Sequence, residues 1–426
     1  MDREARIVII GAGAAGLSAA VELKRLGFRR VTVLERRPDH LGGKCFTVDA
    51  DGVPLDTGAV YVLPNYPEVT RLAKEVGVKL RRCSPYVQLG PDGRTRPFGH
   101  TEPPTPFLSK AAEYLRLGGE LLKFHQLLLR PLGEVDPGLL ARLSLPFGEW
   151  AERHRLRYFR DAAYPLMRSF GFGYEEQRIP AAYIFKAISF FAQGGNLLNL
   201  WNVSGIPLYQ VAEGYGELWR KLAEPLEVHL KVGVRKVERT KRGGTVHTTA
   251  GAFHFDRLLL ACSPERALTF LDAHPEEAEL FSPVRTFPVW QLAVQAEGIP
   301  EAVLLDRNQA YARIGSTMIL FRYHPGSSWY YLFGYVGEGQ TDARIIELAR
   351  ETLEELGGRM VGPPRLTRWG GYFPHYGSKE VAAGYHARLE ALQGRHSTWH
   401  AGELLSGIGV EAASSYARQL VRERFA

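Results

Sequence analysis

ARIVIIGAGAAGLSAA, residues 5–20, is the stretch on which the fold turns. Residues 5–10 are a short apolar run rich in β-branched side chains, the composition of a strand buried on both faces. Gly11, Gly13 and Gly16 follow with G-x-G-x-x-G spacing, with Ala14 and Ala15 between the last two. In that pattern the first glycine makes a tight turn, the second lets a pyrophosphate approach the backbone, and the third lets a helix pack on the strand. The helix opens with N–H groups facing the diphosphate. Its pattern runs through Leu26, with Leu17, Ala20, Val21 and Leu23 on one face, and Gly27 closes it. VTVLE, residues 31–35, reads as a second buried strand parallel to the first. Glu35 ends it 19 residues after Gly16, placed to accept ribose hydroxyls and to disfavour a 2′-phosphate. The glycines alone are weak evidence; strand, helix and acid together make a dinucleotide turn.

The 426 residues suffice for two or three lobes, and 45% hydrophobic with 23% charged residues describes an ordinary soluble chain. The net charge of +7 comes from scattered arginines and lysines with no basic stripe, which argues against nucleic acid as a partner. Cys45, Cys83 and Cys262 are odd in number and far apart, so neither a disulfide framework nor a metal site is expected, and a reducing cytoplasm is the simplest location. No apolar run reaches the length of a spanning helix.

The fold class expected is α/β, with the nucleotide domain in three segments (1–82, 216–283 and 372–426). Residues 83–215, rich in proline, aromatics and helical patterns, and 284–371, rich in strands, form a mixed α+β substrate domain inserted between them.

ERRPDHLGGKCFTVDADGVPLDTGAVYV, residues 35–62, resembles the flavin-containing amine oxidase and phytoene desaturase superfamily. There E-R, L-G-G-[RK] and D-x-G-[AG] recur in order, here Glu35 and Arg36, then Leu41 to Lys44, then Asp56, Gly58 and Ala59, with Val60 next. The resemblance implies a Rossmann-type FAD-binding domain of the glutathione-reductase-like kind. Gly42 and Gly43 would let backbone wrap the diphosphate, and Lys44 would neutralise phosphate charge. GVRKVE (233–238) matches the strand whose Val234 meets the adenine through its backbone, and LLLACSP (258–264) matches an apolar strand ending in a small-residue turn. STWHAGELLSGIGVEAASSYARQLV (397–421) matches the last strand, turn and helix, where Gly402 and Glu403 meet the ribityl chain. Val410 and Glu411 would start a helix whose N–H groups stabilise negative charge on reduced flavin. That C-terminal segment has no cysteine, so the FAD is expected to be non-covalent.

Within the superfamily the chain is most similar to the FAD-dependent polyenoic fatty acid isomerases, which form conjugated linoleic acid. The matching strings include LPFGEW (145–150), FGFGYEEQRIPAAYIFKAISF (170–190), YFPHY (372–376) and QGRHSTWHAGELLSGIG (393–409). The resemblance implies a redox-neutral shift of a double bond in a free polyunsaturated fatty acid, by hydride removal to the flavin and return. Such chemistry needs an apolar tunnel and little acid–base help. Tyr372 and Phe373 lie where aromatics meet the reacting face, and Phe190, Phe191 and Trp201 are candidates to wall an acyl chain. Where that family carries an arginine gate this chain has Tyr86; Arg82 is among the neighbouring cations that could hold a carboxylate instead.

The alternative is an amine oxidase or a carotenoid or terpenoid desaturase, with Lys186 as the lysine near the flavin; a non-enzymatic flavoprotein is a third reading. His375 and His400 read as structural histidines. The amphipathic stretch 108–129 reads first as a helix on its own lobe and second as a helix resting on a membrane. The expected assembly is a monomer or a homodimer.

Overall fold

The computed structural model describes all residues except 1, 84–86, 90–94, 98–105, 170, 172–177, 193–206, 300–301, 304–314 and 325. Strand Ile7–Ile10 is buried throughout, as its apolar β-branched run demands. It lies at the centre of a five-stranded sheet ordered Thr398–His400, Arg257–Leu260, Ile7–Ile10, Val31–Leu34, Glu227–His229. Every pairing is parallel, so strands distant in sequence are joined through other structure. This is a Rossmann-type parallel sheet, in keeping with the α/β class expected.

Helix Ala14–Arg25 packs against the C-terminal helix Val410–Phe425. Between them the buried Glu22 carboxylate accepts from Arg25 (3.2 Å) and Arg422 (2.5 Å). Burial alone would raise its pKa, but these guanidinium contacts hold it below the ordinary value. The chain's beginning and end are thereby locked together beside the glycine turn.

A second five-stranded sheet is antiparallel, ordered Ala302–Val303, Thr317–Arg322, Trp329–Tyr335, Arg285–Glu297, Arg359–His375. Its last strand pairs Trp369 with Val289 and Tyr372 with Phe287, then runs on to His375, past residue 371 where a domain boundary was expected. It thus carries the antiparallel sheet into the nucleotide-binding region. Among the described residues, no helix is long and apolar enough to cross a membrane.

Candidate functional site

A cleft with roughly 1400 Å³ of open space, its mouth included, lies at the carboxyl end of the parallel sheet. That is where open α/β sheets receive ligands. Its walls come from residues 11–15, 35–45, 260–266, 369–374 and 400–413, which include Gly11, Gly13, Ala14 and Ala15. Steric demand explains the turn. Gly11 has φ of +109°, and a Cβ there would come within 2.9 Å of the Ala261 carbonyl oxygen. A Cβ on Gly16 would sit 2.0 Å from the Gly11 oxygen, so no side chain fits without moving backbone. A Cβ on Gly13 meets nothing within 4 Å, because it projects into open space.

Two helices begin on this cleft, Ala14–Arg25 after Gly13 and Val410–Phe425 after Gly409, and no side chain caps either N-terminus. Their first N–H groups and aligned peptide dipoles favour an anion. At one end Glu35 lines the wall, its carboxylate accepting from the N–H groups of Ala12 (3.1 Å) and Arg37 (2.9 Å). Arg36 and Arg266 line the same region, and burial followed by the charges of Arg266 and Arg37 lowers the Arg36 pKa. The loop with Gly42 and Gly43 folds onto the glycine turn: Gly42 donates its N–H to the Ala12 oxygen at 2.8 Å and Gly43 approaches Gly13. Lys44 follows, in ion-pair contact with Glu403 and 4.8 Å from the Tyr372 ring centre.

The remaining expected cofactor residues stand differently. Gly402, Glu403 and Val410 are on the cleft wall. Gly58 and Ala59 lie behind Lys44, where the Ala59 N–H donates to the Lys44 oxygen at 2.7 Å and a Cβ on Gly58 would collide with that oxygen, and Val60 after them is buried. Val234 begins the antiparallel strand Val234–Thr240 and does not line this cleft. The Glu411 carboxylate faces another helix, accepting from the N–H groups of Glu68 (3.0 Å) and Val69 (2.9 Å) at the start of Pro67–Val76.

At the other end, Gly370, Gly371 and Pro374 line the cleft. Phe373 has φ of +49°, a left-handed conformation that costs a bulky residue on the order of 1–3 kcal/mol. Its buried ring stacks on His375 (4.6 Å) and meets the edge of Tyr183 (5.3 Å) rather than standing on the wall. Tyr183 is wired in turn, accepting from the Tyr376 N–H at 2.7 Å and sharing a hydrogen bond with His386 Nε2 at 3.2 Å. Lys186 is buried on helix Ala181–Ala192 with its ammonium donating to the carbonyls of Leu127 (3.2 Å) and Arg130 (2.7 Å). It does not line the cleft, and burial pushes its pKa down to about 8. Burial lowers both His375 and His400 to about 4, leaving neutral imidazoles.

Of the expected substrate residues, Tyr86 and Trp201 lie outside the described residues. Phe190 and Phe191 are on helix Ala181–Ala192, with side chains outside them. Arg82 is exposed on the short strand Leu80–Arg82. Trp369 was missed by sequence reading: it lines the cleft and its indole N–H donates to Thr57 (2.8 Å) and Gln291 (2.7 Å). The one signal was WGG, residues 369–371, an aromatic beside two glycines. Among the described residues, no cluster of three or more His, Cys, Asp or Glu could hold a metal ion.

Anion-favouring helix starts, an acid at the far end and space where Gly13 lacks a side chain fit a dinucleotide with its diphosphate against backbone N–H groups. The site therefore defines a dinucleotide-binding protein. Residues 14–403 match the family described as flavin containing amine oxidoreductase, and the chain belongs to that family. The FAD-dependent oxidoreductase dpasF of Apiospora sacchari is 26% identical over 443 residues, covering 94% of this chain and 88% of that protein. A flavin-containing amine oxidase of Oncorhynchus mykiss is 41% identical over 105 residues, 23% of this chain and 19% of that protein. Among solved structures, a CLA-producing fatty acid isomerase from P. acnes superposes with a TM-score of 0.87 at 24% identity, over 100% of both chains, a likeness of fold. The family and its FAD-dependent relatives support a flavin cofactor.

Proposed function

We propose that the chain is an FAD-dependent isomerase that moves a double bond in a free polyunsaturated fatty acid, such as linoleic acid, to give a conjugated product without net oxidation. The observation that carries this reading is the placement of the lysine and the two histidines that the sequence offered near the flavin. Lys186 is committed to the carbonyls of Leu127 and Arg130, and His375 and His400 are neutral and buried. No proton carrier among these three stands ready, as suits a reaction in which hydride leaves and returns. The end-to-end likeness of fold to a fatty acid isomerase supports the same reading.

When bound, FAD supplies the hydride acceptor and donor. The chain's own residues do the rest. Gly11 to Gly16 and the Val410 helix start would hold the cofactor's negative charge with backbone N–H groups, and Glu35 would receive the ribose. Lys44 and Glu403 would stand beside the cofactor, and Tyr372 would face the reacting end with Phe373 supporting it from the buried side through Tyr183 and His375. Tyr86, Arg82, Phe190, Phe191 and Trp201 are proposed for the carboxylate and acyl chain. We propose non-covalent attachment, checked by whether the yellow colour passes a filter after denaturation, and a cytoplasmic location in keeping with three free thiols.

Anaerobic mixing with linoleic acid tests the reading: conjugated-diene absorbance should grow while the flavin ends oxidised. A second reading, an amine oxidase or desaturase, is favoured by the amine oxidase relatives. It requires lasting flavin bleaching without oxygen, and peroxide or a reduced acceptor in air.

A further inference from the structure

Among the described residues, the large hydrophobic side chains left most exposed all fall in one place: Phe107 (80%), Leu108 (80%), Leu115 (81%), Leu122 (76%) and Leu129 (75%). Helix Phe107–Lys123 carries the first four and helix His125–Leu129 the last. Leu108, Leu115 and Leu122 recur every seven residues, so they drift only about 20° per step and form a single ridge. Ala112 and Gly119 lie between them, also exposed, and leave the leucines standing clear. Leu117 and Leu121 on the opposite side are buried, which fixes the helix to its own lobe.

The charge beside the ridge has one sign. Arg116, Lys123 and Arg130 each follow a ridge leucine by one residue, and all three are exposed. The acids of this helix turn inward. Glu113 accepts from the Phe159 N–H at 3.2 Å, and Glu120, 12% exposed, holds Lys123 at 2.7 Å. An apolar ridge flanked by cations is complementary to an anionic bilayer surface, where leucines enter the acyl boundary and cations meet headgroups. A second copy would set like columns of charge against each other. At 17 residues the longer helix spans about 25 Å, enough to lie along a surface.

We propose that Phe107–Leu129 is a docking ridge by which the protein rests on an anionic membrane. Lys186 ties the ridge to the rest of the chain: its ammonium holds the carbonyls of Leu127 and Arg130, while its methylenes pack beside Gly407, between the last two helices of the cleft. The proposal does not depend on the isomerase reading, because its readout is binding and not turnover.

The test is co-sedimentation of the purified flavoprotein with vesicles of phosphatidylcholine alone or mixed with phosphatidylglycerol, at low and high salt. The expected result is pelleting with the mixed vesicles, weakened by salt. Leu115→Glu should weaken it roughly tenfold or more, and Arg116→Gln about fivefold. Both sites are exposed, and an unchanged flavin spectrum and melting temperature confirm that each variant folds. Wild-type protein that stays in the supernatant, or pelleting that Leu115→Glu leaves intact, overturns the proposal. So does a wild-type dimer in sedimentation velocity that Leu115→Glu splits, because the ridge would then be covered by a second copy.

Discussion

The Lys44 ammonium lies 4.8 Å from the centre of the Tyr372 ring and in ion-pair contact with Glu403, so one cation joins three distant segments at the edge of the cleft. If this cation also faces the cofactor, Lys44→Met removes charge from the site and leaves Glu403 as an uncompensated negative group. Flavin titration of the apoprotein should show affinity falling about 10- to 100-fold, the worth of a charge-assisted contact. Glu403→Gln should cost less, since Lys44 keeps its charge. Equal FAD affinity in wild type and Lys44→Met would place the cation outside the site.

Gly13 and Gly16 separate binding from folding. A methyl group at Gly16 meets the Gly11 oxygen at 2.0 Å, whereas one at Gly13 meets nothing and points into the cleft. Gly16→Ala should therefore destabilise even the flavin-free protein, by about 2–5 kcal/mol in denaturant melts. Gly13→Ala should melt like wild type without flavin and bind FAD at least about tenfold more weakly, because a methyl group takes space the diphosphate needs. A Gly13→Ala protein with wild-type affinity would move the diphosphate elsewhere.

The glycine turn was legible in sequence because its causes are local: backbone clashes fix Gly11 and Gly16, and the strand and helix adjoin them. Glu403 and the Val410 helix start were accessible only through resemblance, since they lie more than 300 residues from the turn, and the ion pair of Glu403 with Lys44 emerged only in the structure. Three placements were out of reach. Glu411 looks like a cleft residue because it follows Val410, yet its carboxylate caps the helix at Glu68 and Val69, a pairing set by tertiary packing. Phe373 is aimed at Tyr183 and His375 by a positive φ that no side-chain pattern announces. Lys186 sits in the string FKAIS, in which nothing announces the carbonyls that receive its ammonium.

Lys186→Met tests whether that lysine is structural. Losing the ammonium strands the carbonyls of Leu127 and Arg130, and stability should fall by about 1–3 kcal/mol. Burial depresses the native pKa from 10.5 to about 8. The charged form is thus penalised fully below pH 8, and the penalty is relieved as pH rises toward 10.5, so wild-type stability should gain in that window relative to Lys186→Met. The flavin spectrum should be unchanged. If instead activity disappears while stability holds, and the rate profile loses a pKa near 8, Lys186 is a proton carrier and the amine oxidase reading gains.

Asp56 gives the opposite slope. Its buried carboxyl accepts from the Thr47 hydroxyl (2.6 Å) and the Tyr215 N–H (2.8 Å), yet burial outweighs both and pushes its pKa from 3.8 up to about 7. Between those values the native state keeps a proton that the unfolded chain has released. The resulting stability is fully present below about pH 4 and lost as pH rises through 7. Asp56→Asn can accept the same two hydrogen bonds through its amide oxygen while never ionising. Its stability relative to wild type should rise by a few kcal/mol between pH 4 and pH 8. Denaturant melts at several pH values measure this directly, and parallel curves for the two proteins would mean that the ionised carboxylate is already accommodated by its two donors.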